Sequence, residues 1–338
     1  MRVLSLVSEG GRPPEDVSTL SEAELADIKM ERDVLATLAR LGHETRCLEV
    51  RSDLAPIDEA ISGWKPHVVF NMLEEFHGQV HFDQHVVSYL ELLRRPYTGC
   101  NPRGLVLARD KALTKKILSY HRVPAPRFLV FPRRRRVRGP GALSYPLFVK
   151  SLTEEASSGI SQASIVHSDE QLRTRVEFIH ENVASDAIAE EYIKGREIYV
   201  GVIGNVRLHA LPVRELILDD LPEGAPRIAT ARVKFDVAYQ RKHGITSRLA
   251  ENLPEGHVER IRRLAHRIYR ALDLSGYARI DLRMREDGAL FVLEANPNPD
   301  LSRDEDFALS AADAGISYRQ LIDKILRLGR GYRPPWSG

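Results

Sequence analysis

Toward the C-terminal end of this chain lies a stretch of strict two-residue alternation, and it limits the fold more than any other segment. From Ala278 to Met284, Ala278, Ile280, Leu282 and Met284 point one way and Arg279, Asp281 and Arg283 the other, the period of a strand with one buried face. A second run, Ala289–Asn296, follows Asp287-Gly288, a pair that favours a two-residue hairpin turn because both residues accept positive φ. With those two residues as the turn, Glu286 faces Ala289, and counting outward sets Asp281 opposite Glu294 and Arg279 opposite Asn296. Opposed side chains share a sheet face, with Cβ atoms about 4.5–5.5 Å apart. Two carboxylates so placed repel unless a cation lies between them. One reading is a salt-bridged face, with Arg279 and Arg283 neutralising both acids. The other is a hard divalent ion held by oxygens of Asp281, Glu294 and Asn296, with nucleotide phosphates completing its shell. The Pro-rich turn Glu294-Ala295-Asn296-Pro297-Asn298-Pro299 favours the second, since sites are built where strands run into loops.

The first hundred residues alternate strand and helix patterns. Val3–Val7 is an apolar strand ending in Ser8-Glu9-Gly10-Gly11. Ser21 and Glu24 form a capping-box pattern ahead of Leu25, Ile28, Leu35 and Leu38 at helical spacing, with Gly42 as the stop. Strands at Thr45–Val50 and His67–Leu73 and a helix over Gln84–Leu93 follow. Such an order calls for a parallel sheet flanked by helices. Asp110 can cap a helix Lys111–Tyr120. Short strands at Arg127–Phe131, Leu147–Lys150, Gly159–Val166, Ala187–Ile193 and Glu197–Ile203 surround a helix over Asp169–Ile179. Leu218–Glu251, rich in charge and turn residues, reads as a mobile stretch. An amphipathic helix with Ile261, Leu264, Ala265, Ile268, Ala271 and Leu272 on one face precedes the hairpin. A helix near Tyr318–Leu328 and a loose tail from Gly331 complete the chain.

Two further features bear on chemistry. Lys150 closes the apolar strand Leu147-Phe148-Val149 and is followed by a loop of small residues containing Ser157, Ser158 and Gly159. A lysine there suits phosphate binding, with loop amides and hydroxyls as a lid; a lysine snorkelling to the surface is the plainer reading. The run Arg133–Arg136 can be a polyanion patch or a solvated loop, and its bracketing by Pro132, Gly139, Pro140 and Gly141 without interleaved aromatics favours the loop.

Composition narrows the class. At 338 residues and 43% hydrophobic content the chain can bury a sizeable core in about two or three domains. Its 49 basic and 47 acidic residues balance to +2, which offers no global case for nucleic acid or membrane. No run of about 18 apolar residues occurs, and the apolar start of the chain is too short for a signal-peptide core. Cys47 and Cys100 lack metal-ligand spacing and read as buried thiols, as expected of a cytoplasmic protein.

The ordered set Pro96-Tyr97-Thr98-Gly99, Asp110-Lys111, Lys150 with Ser157 and Gly159, Glu190–Ile193 with Glu197, Gly276 through Asp281, Glu294-Ala295-Asn296 and Ala314 through Tyr318 resembles the D-alanine–D-alanine ligase family of the ATP-grasp superfamily. The resemblance implies an α/β fold, α+β in its ATP-binding part, with an N-terminal Rossmann-like pre-ATP-grasp domain. It divides the chain into residues 1–108, a central ATP-grasp subdomain 109–194, a C-terminal subdomain 195–330 with the metal site, and a tail 331–338. It implies an ATP-dependent ligase that joins a small-molecule carboxylate to an amine through an acyl phosphate, with no nucleic-acid or membrane partner and with a homodimer as a possible assembly. Lys111 and Lys150 are then expected to contact ATP phosphates, Ser157, Ser158 and Gly159 to cover them, Glu190 and the backbone of Glu191 and Ile193 to read adenine, and Glu197 to bind the ribose. Asp281, Glu294 and Asn296 are expected to hold two Mg²⁺ ions, for which Mn²⁺ can substitute. Arg279 is expected to act with Lys150 as a catalytic cation stabilising the reacting centre.

Departures from the family pattern gather on the substrate side. Asp300-Leu301 stands where the family has Gly-Met, with Ser302 beside it. The carboxylate-receiving Ser-Leu falls near Glu305-Asp306. Gly10-Gly11 and Glu15 are compatible with an amine-binding glutamate in a segment of different length. His77-Gly78 matches a family His-Gly. The loop lysine near Phe235-Asp236 is displaced, leaving Lys234 or Lys242 to replace it. These changes point to substrates other than two D-alanines. A D-alanine–D-alanine ligase proper and a non-catalytic ATP-binding protein are the competing readings.

Overall fold

The computed structural model describes residues 1–154, 160–218, 220–222 and 227–335, the side chains at 235 and 237 excepted. Ser157, Ser158 and Gly159 therefore lie outside the described residues.

Three sheets follow one another along the chain. β1 (Arg2–Ser8), β2 (Glu44–Val50) and β3 (Val68–Asn71) are parallel in the order β2-β1-β3, connected through α1 (Glu22–Asp27), α2 (Lys29–Arg40) and α3 (Ala55–Trp64). α4 (Asp83–Leu92), α5 (Pro102–Arg109) and α6 (Lys111–Tyr120) lead into an antiparallel sheet of β4 (Phe128–Phe131), β5 (Leu147–Ser151), β6 (Ile165–Val166) and β7 (Ala187–Glu191), with α7 (Asp169–Phe178) between β6 and β7. Its order is β4-β7-β5-β6. The third sheet, also antiparallel, runs β11-β10-β8-β12-β13 with β9 beside β8. It comprises β8 (Arg196–Ile203), β9 (His209–Ala210), β10 (Arg214–Ile217), β11 (Thr246–Leu249), β12 (Tyr277–Met284) and β13 (Leu290–Pro297). α8 (Ala231–Phe235), α9 (Val237–Lys242), α10 (His257–Ala271), α11 (Asp306–Asp313) and α12 (Tyr318–Gly331) complete it. Among the described residues, no helix is long and apolar enough to cross a membrane.

Packing explains which face of the third sheet is left for chemistry. Ile198, Val200, Ile280, Leu282, Val292 and Ala295 join Ile261, Ala265 and Ile268 of α10 in one core. The opposite face of β8, β12 and β13 therefore carries the polar residues. α12 buries Leu321, Ile322, Ile325 and Leu326 against Val3, Val7, Val68 and Phe70 of the first sheet, so the chain's last helix fastens the first sheet to the third.

Several local expectations change. The helix expected through Ile28 breaks there (φ −109°, ψ 13°): α1 closes its own capping box between Ser21 and Glu24 but buries nothing, so packing does not hold it in line with α2. The strand expected over Gly159–Val166 is reduced to two residues. The described part of Leu218–Glu251 holds structure, because Thr230 and Asp236 cap α8 and α9 and β11 pairs with β10. α12 runs on to Gly331, and Tyr332 meets Tyr97 edge-on. Of the two thiols, Cys100 is buried and Cys47 only half-buried. Helices α3, α5 and α11 were missed, although Asn101-Pro102 has a legible start signal: Asn101 accepts the Gly104 N–H, with proline in the first turn.

Candidate active site

The hairpin reaches the expected pairing by two compensating departures. Arg285 donates its N–H to the Ala289 carbonyl (2.9 Å) and Gly288 donates to Arg285 (2.9 Å), so the turn holds three residues, with Gly288 at φ 76°. Its third residue needs the positive φ that glycine supplies freely. The pairs Met284–Leu290, Arg283–Phe291 and Leu282–Val292 follow that longer turn. A bulge at Leu293 then restores the other register, so that Asp281 does face Glu294 and Arg279 does face Asn296. The bulge also has its own use: Lys115 donates from Nζ to the Leu293 carbonyl at 2.8 Å.

On β8, Glu197 pairs with Arg283, Tyr199 with Asp281 and Gly201 with Arg279, so these residues share the polar face. Arg279 forks Asp281 (Nε–Oδ1 2.8 Å, Nη2–Oδ2 3.0 Å), and Asn296 donates from Nδ2 to the same Oδ2 at 2.9 Å. Arg283 donates to Glu197 Oε2 at 2.8 Å, and the Tyr199 hydroxyl donates to Oε1 at 3.0 Å. The salt-bridged reading thus describes Asp281 but not Glu294. Among the described residues, no hydrogen bond reaches the Glu294 carboxylate. Burial pushes its carboxyl up, but Lys150, Lys111, Lys234 and Arg279 together hold it below the ordinary range. Burial raises Asp281 despite Arg279, and Glu294 adds to the rise.

Mg²⁺ fits this donor set. Facing carboxylates with an amide beside them are hard oxygen donors, and Glu294 is half-buried among cations with its carboxylate oxygens uncommitted. Among the described residues, no three of His, Cys, Asp or Glu gather into a site of their own, as for a metal that phosphate oxygens help to hold.

The second sheet brings the lysines. Lys150, on β5, lies 3.4 Å from Glu190 Oε1 on β7, and Lys115 lies 3.3 Å from the same oxygen. All three side chains are at most 6% exposed. Lys150 is therefore a buried member of an ion cluster and does not snorkel. Burial lowers Lys115, opposed by Glu190, whereas for Lys150 the acids Glu190, Glu294 and Glu197 outweigh burial and raise it. Lys111 opens α6 and donates from Nζ to the Glu154 carbonyl at 2.8 Å. Between the sheets is a cleft lined by Lys150, Glu190, Ile193, Glu197, Lys234 and Glu294 among others. Glu191 turns its side chain away to Arg127 and Ser144, and its N–H is taken by the Arg127 carbonyl.

The remaining candidates lie elsewhere. Glu15 and His77 are exposed, and His77 donates its backbone N–H to Arg51. Leu301 and Ser302 are buried, and Ser302 donates its N–H to Asp300 Oδ1 at 2.6 Å. Asp306 is claimed by Arg214, 3.4 Å away. Of the two candidate loop lysines, Lys234 lines the cleft and Lys242 is exposed. Lys115 was missed, although its place four residues after Lys111 puts both on one side of α6. Glu31 and Tyr199 carried no local signal.

A parallel sheet followed by two antiparallel sheets enclosing a cleft of lysines and carboxylates is the ATP-grasp architecture. The crystal structure of D-alanine–D-alanine ligase from Bacillus anthracis complexed with ATP superposes with a TM-score of 0.74, covering 97% of each chain at 23% identity. The family described as D-ala D-ala ligase C-terminus matches residues 119–327. An uncharacterised protein, y4sG, of Sinorhizobium fredii is 33% identical over 95% of this chain and 92% of its own. A D-alanine–D-alanine ligase of Desulforudis audaxviator is 30% identical over 92% and 96%. The chain belongs to the D-alanine–D-alanine ligase family and is an ATP-dependent ligase that forms C–N bonds, a class that uses ATP and Mg²⁺.

Proposed function

We propose that this ligase activates a small carboxylic acid as an acyl phosphate and passes the acyl group to an amine, on substrates other than a pair of D-alanines. The observation that carries this reading is the facing of Asp281 and Glu294 on β12 and β13, within a ring of Lys111, Lys150, Lys234 and Arg279.

In the proposed reaction, a carboxylate oxygen of the donor attacks the γ-phosphorus and the bond to ADP breaks. The neutral acceptor amine then attacks the acyl carbon, the bond to phosphate breaks, and the amine's proton passes to solvent. Asp281, Glu294 and Asn296 would hold two Mg²⁺ ions, which would supply charge neutralisation at the phosphoryl oxygens. Lys150 and Lys111 bind phosphate charge. Arg279 turns from Asp281 toward the anionic reacting centre. Glu190 accepts from the adenine amino group, the Glu191 carbonyl and Ile193 N–H meet the base edge, and Glu197 takes the ribose hydroxyls. Catalysis on this reading is positioning and preorganised charge. Residues 1–108, 109–194 and 195–330 are the working units, one sheet in each.

Asp300 and Glu305 support altered specificity, because a free carboxylate presented to them would be repelled. The test is phosphate release from ATP and Mg²⁺ over a matrix of donor and acceptor amino acids. Full turnover with D-alanine alone would establish the D-alanine–D-alanine ligase reading instead. ATP binding without phosphate release from any pair would leave only a nucleotide-binding protein.

A further inference from the structure

The crevice where the first sheet ends carries charges opposite in sign to those at the nucleotide end of the cleft. From β1 the chain passes to β2 on one side and later to β3 on the other. The carboxyl ends of β1 and β3 therefore flank a topological switch point, the place where open parallel sheets take ligands. Glu31 stands in the first turn of α2, on the side that buries Val34, Thr37 and Leu38, and is 8% exposed. Its Oε1 lies against the turn after β1, where a Cβ on Gly11 would come within 3.3 Å. Among the described residues, no hydrogen bond to another residue and no ion pair reaches this carboxylate.

The groups around Glu31 deepen its isolation. Burial is the main cause of its rise to about 7, and Glu74, just past β3, and Asp300, past β13, add to it. Burial, Asp300 and Asp306 likewise raise Glu305. Of the cations around the crevice, Lys29 pairs with Asp304, Arg303 with Asp33, and Arg214 with Asp306 and Asp313, while Arg12 lies on the Cys47 side. The half-buried Cys47 thiol also faces Glu31, is pushed up to about 11 by burial, and is drawn down by Arg12. Asp300 is four residues past Asn296, so the crevice is within about 14 Å of chain from the metal-binding strand. Glu31's own backbone N–H is the one group that lowers it, and a buried acid with so little to answer it is costly, a cost kept where a ligand supplies the partner.

We propose that Glu31, with Glu74 and Asp300 beside it, is a specificity-determining group that receives an ammonium of the substrate, so that this ligase takes a donor or acceptor with one more cationic amine than alanine. The proposal rests on the ligase reading above. A diamino acid and a polyamine share the required chemistry, and the arms of the test separate them.

Full-length enzyme with ATP and Mg²⁺ is assayed for phosphate release with three pairings: alanine with alanine, ornithine or lysine of either chirality as donor with alanine, and alanine with putrescine or spermidine. A cationic pairing is expected to exceed the alanine pair by at least about 100-fold in kcat/KM, and Glu31→Gln to lower that ratio by about 30-fold, the size of a lost charge-assisted bond. Glu31→Asp should restore part of the ratio. Calorimetric titration of ornithine and spermidine at pH 7, with a non-hydrolysable ATP analogue and Mg²⁺, in two buffers of different ionisation enthalpy, gives a readout independent of turnover. Binding should release protons from wild type and not from Glu31→Gln. Preference for the alanine pair, a ratio unmoved by Glu31→Gln, or failure of both amines to bind would overturn the proposal. Binding with Glu31-dependent proton release, but no phosphate from any pair, supports the pocket and overturns the ligase reading.

Discussion

The cleft between the second and third sheets and the crevice at the carboxyl end of the first sheet treat acids in opposite ways. In the cleft, Glu190, Glu197, Asp281 and Glu294 each lie beside a lysine or arginine from another element or strand position. In the crevice, Glu31 is buried with acids for neighbours and rises to about 7. The first arrangement stores positive charge ready for phosphates, since each cation is already held in place by an acid. The second buries one acid, Glu31, to which no other described residue gives a hydrogen bond or an ion pair. Because the same solvation physics acts in both, the difference lies in what each leaves for a ligand to complete.

The strongest way to break this comparison is to remove a metal-facing acid. Asp281→Asn and Glu294→Gln are each expected to lower phosphate release on the order of 100- to 1000-fold while ATP still binds; a loss below tenfold would mean that the pair only neutralises cations. Chelating Mg²⁺ should abolish turnover, and Mg²⁺ or Mn²⁺ should restore it.

A stability measurement separates the two kinds of acid. Glu31 rises from an ordinary 4.5 to about 7 on folding, so the contribution of its protonated form is complete below pH 4.5 and is lost as pH climbs through 7. In Glu31→Gln that loss is absent. The variant should therefore gain on wild type by up to about 3 kcal/mol between pH 4.5 and 8, read as urea unfolding at the two pH values. A difference that does not grow with pH would show that the acid already has a partner.

Lys115→Met should cost about 2 kcal/mol of stability, since the Leu293 carbonyl loses its donor and Glu190 keeps only Lys150. It should also raise the KM for ATP, and a variant that keeps both wild-type values would remove Lys115 from the site. The smallest effect belongs to the arginine loop: serine at Arg134, Arg135 and Arg136, all exposed, should leave turnover within about twofold and stability within about 0.5 kcal/mol.

The hairpin shows both how much the sequence revealed and where such reading stops. Alternation placed Asp281, Arg279 and Arg283 on one face, because a strand's side-chain period is local. The turn count erred by one residue, since Asp-Gly suits a three-residue turn as well as a two-residue one. The pairing survived only because the bulge at Leu293 corrected it. That bulge is held from α6 by Lys115, more than 170 positions away, and no local pattern reports such a contact. Likewise, Asp110 capped α6 as expected, accepting from Ala112 and Leu113, because capping is settled within four residues. The break at Ile28 went unseen because it depends on what each half-helix packs against.

From its own residues, then, the chain determined its family, much of its strand-and-helix order, and the sheet face that carries Arg279 and Asp281, all set by short-range periodicity and turn chemistry. Tertiary structure alone decided that Lys115 meets Glu190, that Lys234 and not Lys242 enters the cleft, and that Glu31 is buried among acids. Those outcomes depend on burial and on the summed field of distant charges, which exist only once the sheets have come together.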